Sequence, residues 1–99
     1  MKLKNEFEQI RTWGKYRGIL DQGDVKTQYI KLQEEAGELA KALLNEDEEE
    51  IIDAIGDCVI VLTNLANLAG YNIEDCINES YKVIEERDGE MINGTFKKN

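Results

Sequence analysis

From Ile51 to Ala69 nearly every side chain is apolar or small, yet Asp53, Asp57 and Asn64 interrupt the run. At about 100° per residue these three and Glu50 fall within a stripe roughly 60° wide, leaving apolar residues around most of the circumference. A helix greasy on most sides is expected to be buried on most sides. Apolar residues recur at three- and four-residue intervals through most of the chain, proline is absent, and strand-like alternation is hard to find. The fold class therefore reads all-α.

The punctuation divides one domain, residues 1–99, into four helices. The first, roughly 3–17, carries Leu3, Phe7, Ile10 and Trp13 and ends at Gly18 and the segment Asp21-Gln22-Gly23. Asp24 caps the second, roughly 25–44, whose expected apolar face is Val25, Tyr29, Leu32, Ala36, Leu39, Ala40 and Leu43, with Asn45 as its stop. Asp47 and Glu50 have capping-box spacing, and the acids Glu46 to Glu50 suit the positive end of a helix dipole. The third helix starts there and runs to about Ala69, where Gly70 is the expected left-handed terminator. Asn72 caps a fourth, Ile73 to about Arg87, expected to be buried through Ile73, Cys76, Ile77, Val83 and Ile84. In the tail, Asn93-Gly94 reads as a turn, ordered by packing on a neighbour.

Charge and missing residue types narrow the chemistry. Twelve basic against twenty-one acidic side chains, a net charge of -9, repel phosphate backbones, so direct nucleic-acid binding is not expected. The absence of histidine removes imidazole bases and histidine-containing zinc sites. Cys58 and Cys76 lie within helical patterns without metal spacing and read as reduced thiols of a cytoplasmic protein. The longest uninterrupted apolar run, Cys58 to Leu62, is short, and no membrane span is expected from it.

Carboxylates remain. Asp57 lies inside Ile55-Gly56-Asp57-Cys58-Val59-Ile60-Val61-Leu62, where a charge must be paired, protonated or metal-bound. Glu34, Glu35 and Glu38 span an arc of roughly 100° on the second helix, from which packing can aim them at the acidic stripe of the third. Two such charges 4 Å apart repel by roughly 4 kcal/mol at a protein's effective dielectric. A divalent cation relieves that repulsion, and all-oxygen ligation selects a hard ion, Mg²⁺ or Mn²⁺. The plainer alternatives are a solvated glutamate face paired with Lys31 and Lys41, and a capping role alone for Glu50.

The string QYIKLQEEAGELAKALL, Gln28 to Leu44, followed by EEIIDAIGDCVIVLTNLA, Glu49 to Ala66, resembles the MazG-like nucleotide pyrophosphohydrolases, an all-α group related to dimeric dUTPases and phosphoribosyl-ATP pyrophosphohydrolases. The likeness extends outward through WGKYRGIL and VIEERDGEMINGTFKK, and EExxE followed at this spacing by ExxD is fairly specific. By resemblance Glu34, Glu35 and Glu38 form the first motif and Asp57 ends the second. Ala54 stands where the family has a glutamate, so Asp53 or Glu50 must replace it, Asp53 lying on nearly the same face.

The resemblance implies metal ligation by Glu34, Glu35, Glu38, Asp53 and Asp57, with Glu35 or Glu38 accepting a proton from the attacking water. It implies Mg²⁺-dependent hydrolysis of a nucleoside triphosphate to monophosphate and pyrophosphate, without a covalent nucleophile. The rival reading is a catalytically silent module that binds nucleotide or metal. Lys31, Lys82, Arg87 and Lys97, with Lys98, are candidate phosphate contacts by resemblance and charge sign. Trp13 is a candidate for stacking on a base, or else part of the core, and Asn64 is a weaker substrate candidate. The expected architecture is an antiparallel hairpin of the second and third helices flanked by the other two. It forms a four-helix-bundle-type core completed in a homodimer or homotetramer, as family members do.

Overall fold

Two long helices joined by a three-residue link organise the chain: α3 (Val25–Leu44) and α4 (Glu48–Leu68) pack side by side as an antiparallel hairpin. The computed structural model describes residues 3–99, with side chains from Glu6 onward. Before the hairpin come α1 (Leu3–Tyr16), laid against α4, and a single turn, α2 (Ile19–Gln22). After it come α5 (Ile73–Ile84) and a two-stranded antiparallel hairpin, β1 (Gly89–Ile92) and β2 (Thr95–Lys98). The all-α reading holds for the body of the fold.

Two of the three expected helix caps form, at Asp24 and Asp47, whereas Asn72 precedes α5 without a side-chain cap bond. Asp24 accepts from the backbone N–H of Thr27 at 2.8 Å and from its hydroxyl at 2.9 Å, satisfying a donor that the first turn leaves free. These bonds hold the Asp24 carboxyl below its ordinary value of 3.8. A lowered folded value means that the cap's contribution is fully present above the unfolded carboxylate range and is lost as pH falls through the folded value. Asp24→Ala is expected to lower the melting temperature at neutral pH and to converge on the parent in acid, as melting curves between pH 2 and 7 would register.

Asp47 accepts from Glu50 N–H at 3.3 Å, the first half of the expected capping box. Gly70, at φ 89°, ends α4, with Tyr71 N–H donating to Ala66 O at 2.8 Å. The stop after α3 differs from expectation. Asn45 is still right-handed, and Glu46, at φ 53°, makes the left-handed step while Asp47 N–H donates to Ala42 O at 3.1 Å.

Four further differences concern what is covered. On α3 the row turned toward its neighbours is Gln28, Leu32, Glu35, Leu39 and Ala42, whereas Val25, Tyr29, Ala36, Ala40 and Leu43 remain exposed. On α4 the buried residues are Ala54, Val61, Thr63, Asn64 and Ala66, and the expectation of burial on most sides fails at Ile52, Ile55, Val59 and Leu62. α5 stops at Ile84, and only Ile73 of its expected core residues is half-buried; Cys76, Ile77, Val83 and Ile84 face outward. The tail is more regular than a lone turn: Asn93 (φ 51°) and Gly94 (φ 83°) form the positive-φ pair of a hairpin turn. Leu3 lies outside the described side chains.

Within one chain, then, the bundle is open rather than closed. α4 is also long and apolar enough, by length and composition alone, to cross a bilayer (mean hydropathy 1.6). A soluble protein's core helix passes that test too, and Asp53 and Asp57 stand along this one.

Candidate active site

The short link fixes the level at which each acid stands. Glu35 lies nine residues before the end of α3 and Asp57 nine residues after the start of α4, so both sit roughly 14 Å from the link at 1.5 Å per residue. Both are half-buried. Apart from Glu74, every other carboxylate among the described side chains is exposed, so these two are the half-buried acids of the helical hairpin. Glu35 belongs to the covered row of α3, its side chain only 14% exposed, and Lys31 approaches it at 3.4 Å. Asp57 makes no hydrogen bond or ion pair among the described residues.

The remaining predicted ligands fan out from this pair. Glu34 is exposed and meets Lys31 at 3.4 Å. Glu38 is exposed and lines a small depression of about 170 Å³ near the link, together with Lys41, Ala42, Asn45, Asp47 and Glu50. This brings Glu50, the alternative member of the second motif, beside Glu38 while it also serves as the partner of the Asp47 cap. Asp53 is exposed on α4. Among the described residues no three acids converge as a ready metal-ligand group. The donor set, all carboxylate oxygen with no histidine in the chain, fits a hard divalent cation in kind.

Of the candidate substrate contacts, Lys31 is engaged by Glu34 and Glu35, whose hydrogen bonds raise its pKa. Trp13 is not core: it is 48% exposed and forms a shared wall of two grooves along α1. One, of about 570 Å³, is lined by Glu6, Gln9, Ile10, Trp13 and Ile60. Ile60 lies one helical turn beyond Asp57, so this groove runs along the flank of α4 that carries the aspartate. Its volume is within the range of small-ligand clefts.

Asn64 is 4% exposed and held beneath Gly14, where a Cβ would overlap its Oδ1, so its side chain serves helix packing and is not open to a ligand. Lys82 pairs with Glu79 at 3.4 Å, Arg87 follows α5, and Lys97 stands opposite Glu90 in the terminal hairpin. None of the three lines the grooves beside Trp13 or Glu38. Two features escaped the sequence reading. One is the α1 groove itself. The other is the clamp between α1 and α5, in which Arg11 donates to both Glu74 oxygens at 2.6 and 2.7 Å. A separation of 63 residues leaves no local signal for such a pair.

The MazG nucleotide pyrophosphohydrolase domain matches residues 24–92, about 70% of the chain. The chain belongs to the MazG family. The match takes in α3, α4, α5 and β1, and leaves α1, α2 and β2 outside. The MazG chain is also 34% identical over 64 residues to an uncharacterized 18.2 kDa protein of the rep-hol intergenic region of Haemophilus phage HP1 (strain HP1c1). That alignment covers 65% of this chain and 39% of the phage protein, so the chain spans about two fifths of its curated relative. No solved structure matches it.

Proposed function

We propose that this MazG-family chain is a Mg²⁺-dependent, or Mn²⁺-dependent, pyrophosphohydrolase that converts a nucleoside or deoxynucleoside triphosphate to its monophosphate and pyrophosphate. We place it in the cytoplasm as a homodimer or homotetramer, acting on free nucleotide rather than on nucleic acid or at a membrane. Its two free cysteines suit a reducing compartment. The observation that carries the reading is the level pairing of Asp57 and Glu35: two half-buried acids, one without any cationic partner among the described residues, on helices of the matched domain.

A divalent cation, when bound, supplies charge neutralisation for the triphosphate and a water of lowered pKa. The chain's residues supply the rest. Asp57 and Glu35, on opposite helices, are the residues that would hold the cation, with Glu34, Glu38 and Asp53 as the further carboxylates on the same two helices. Glu38, exposed and without an ion-pair partner among the described residues, accepts the proton of the attacking water on its carboxylate. The water oxygen bonds to phosphorus as the anhydride linkage between the first and second phosphates breaks, and pyrophosphate departs. Trp13 offers its exposed face to the base along the α1 groove. Lys31, 3.4 Å from both Glu34 and Glu35, would meet the phosphates.

Phosphate detection after added pyrophosphatase, across a panel of nucleoside and deoxynucleoside triphosphates, tests the proposal. Turnover with Mg²⁺ that chelation cuts by at least about 100-fold is the expected result. Orthophosphate appearing without the coupling enzyme would place cleavage elsewhere and overturn it. Ala54, standing where the family has a glutamate, favours a second reading: a silent module, which nucleotide binding without turnover would establish.

A further inference from the structure

Among the described elements the terminal strands β1 and β2 contact only each other. Two strands alone are marginal in water, yet this pair is well specified by its Asn93-Gly94 turn. The register sets Met91 opposite Phe96 and Gly89 opposite Lys98, and alternation along each strand puts these four on one face. Phe96 covers Gly89, where a Cβ would meet the ring. Met91 and Phe96 are otherwise open, at 66% and 50% exposure. β2 lies beyond the matched residues of the family domain, so its role is not inherited from that match.

A complementary feature lies unused on α4. Ile52, Ile55, Val59 and Leu62 follow one line along the helix at spacings of three, four and three residues, all exposed, Ile52 at 73%. The line is about 15 Å long, and a four-residue strand spans about 13 Å. One turn before Ile52, Glu48 continues it. The line occupies the side of α4 away from Asp57 and Ile60.

The chain as a whole is also too open for a monomer of its size. It exposes 7900 Å², where a folded monomer of 11.3 kDa exposes about 5,700 Å². Its radius of gyration is 15.6 Å against about 12.6 Å. The surplus, on the order of 2,200 Å², exceeds the roughly 800 Å² that each partner of a standard interface buries.

We propose that the hairpin is an exchanged arm: in a homodimer, the Met91 and Phe96 face of each chain seats on the Ile52-Ile55-Val59-Leu62 line of the other. Lys98, on the same face of the arm, meets Glu48 at the head of the line. A second copy is the fitting occupant because every chain carries both halves unused, and a two-fold exchange satisfies both without leaving either over. Docking there leaves the flank of α4 that bears Asp57 free. The inference rests on the self-association proposed above and specifies its contacts.

Sedimentation equilibrium of the full chain tests it without reference to activity. The parent is expected to dimerise, and Phe96→Asp to raise the dissociation constant by about 30-fold or more, the effect of losing an interface anchor. Its helical circular dichroism is expected to stay unchanged, since among the described elements the hairpin touches no helix. Glu48→Lys and Lys98→Glu are each expected to weaken the dimer, and the double variant to recover it. Ile55→Asp dissociating the dimer while Phe96→Asp does not would keep self-association and overturn the arm. A parent that is monomeric at tens of micromolar would overturn both.

Discussion

Asp57→Asn is expected to lower pyrophosphohydrolase turnover by at least about 100-fold while melting, in metal-free buffer, no lower than the parent. The substitution preserves shape and replaces a carboxylate oxygen with an amide nitrogen, so it tests charge alone. Asp57 is half-buried and has no cation beside it among the described residues. Asparagine fills the same space, so the change costs nothing in packing. A ligand shows the opposite sign once metal is present: the parent gains stability from Mg²⁺ and the variant loses that gain. Coupled-assay rates with paired melting curves, with and without Mg²⁺, separate the two. Near-parental turnover in Asp57→Asn would remove it from the ligand set. Asp53→Ala and Glu50→Ala, assayed alongside, decide which acid completes the second motif: both share the stripe of Asp57, and Glu50 also stands beside Glu38.

What was legible in the sequence follows the range of the interactions involved. Helix starts at Asp24 and Asp47 and the stop at Gly70 are set within four or five residues, and the structure places them where capping chemistry puts them. The pairing of α3 with α4 follows from a three-residue link, and with it the level of Glu35 against Asp57. Which row of α3 turns inward was not legible. Of the expected face, Leu32 and Leu39 do turn inward, but they do so beside Gln28, Glu35 and Ala42, while Val25, Tyr29, Ala36, Ala40 and Leu43 stay open. Hydropathy along one chain cannot tell a face that meets its own core from a face reserved for a partner. The same ambiguity overstated burial on α4 and α5. The terminal strands were missed because four-residue elements with mixed residues carry little periodic signal, even though their Asn-Gly turn was visible.

Gly14→Val should be the most destabilising single change outside the acidic site, by about 2–4 kcal/mol, and its effect should depend on Asn64. Gly14 is buried inside α1, where glycine is a poor helix former by roughly 1 kcal/mol relative to alanine. Something must outweigh that preference. The close approach of α1 to α4 does so: any Cβ at this position overlaps Asn64 Oδ1, and Asn64 is itself buried with little room to retreat. Gly14→Ala thus sets a helix gain against an overlap, and the overlap is expected to win because the atom it meets cannot swing into solvent. Shortening the opposing side chain reverses the sign. In the Asn64→Ala background, Gly14→Ala is expected to stabilise rather than destabilise, with a coupling of about 1–3 kcal/mol in a double-mutant cycle by urea denaturation. Additive effects would show that α1 does not lie on α4 at this point. The groove between them, with Trp13 and the flank of Asp57, would then lose its wall, so this packing contact is what sets the shape in which α1 can present a base-stacking surface to the site.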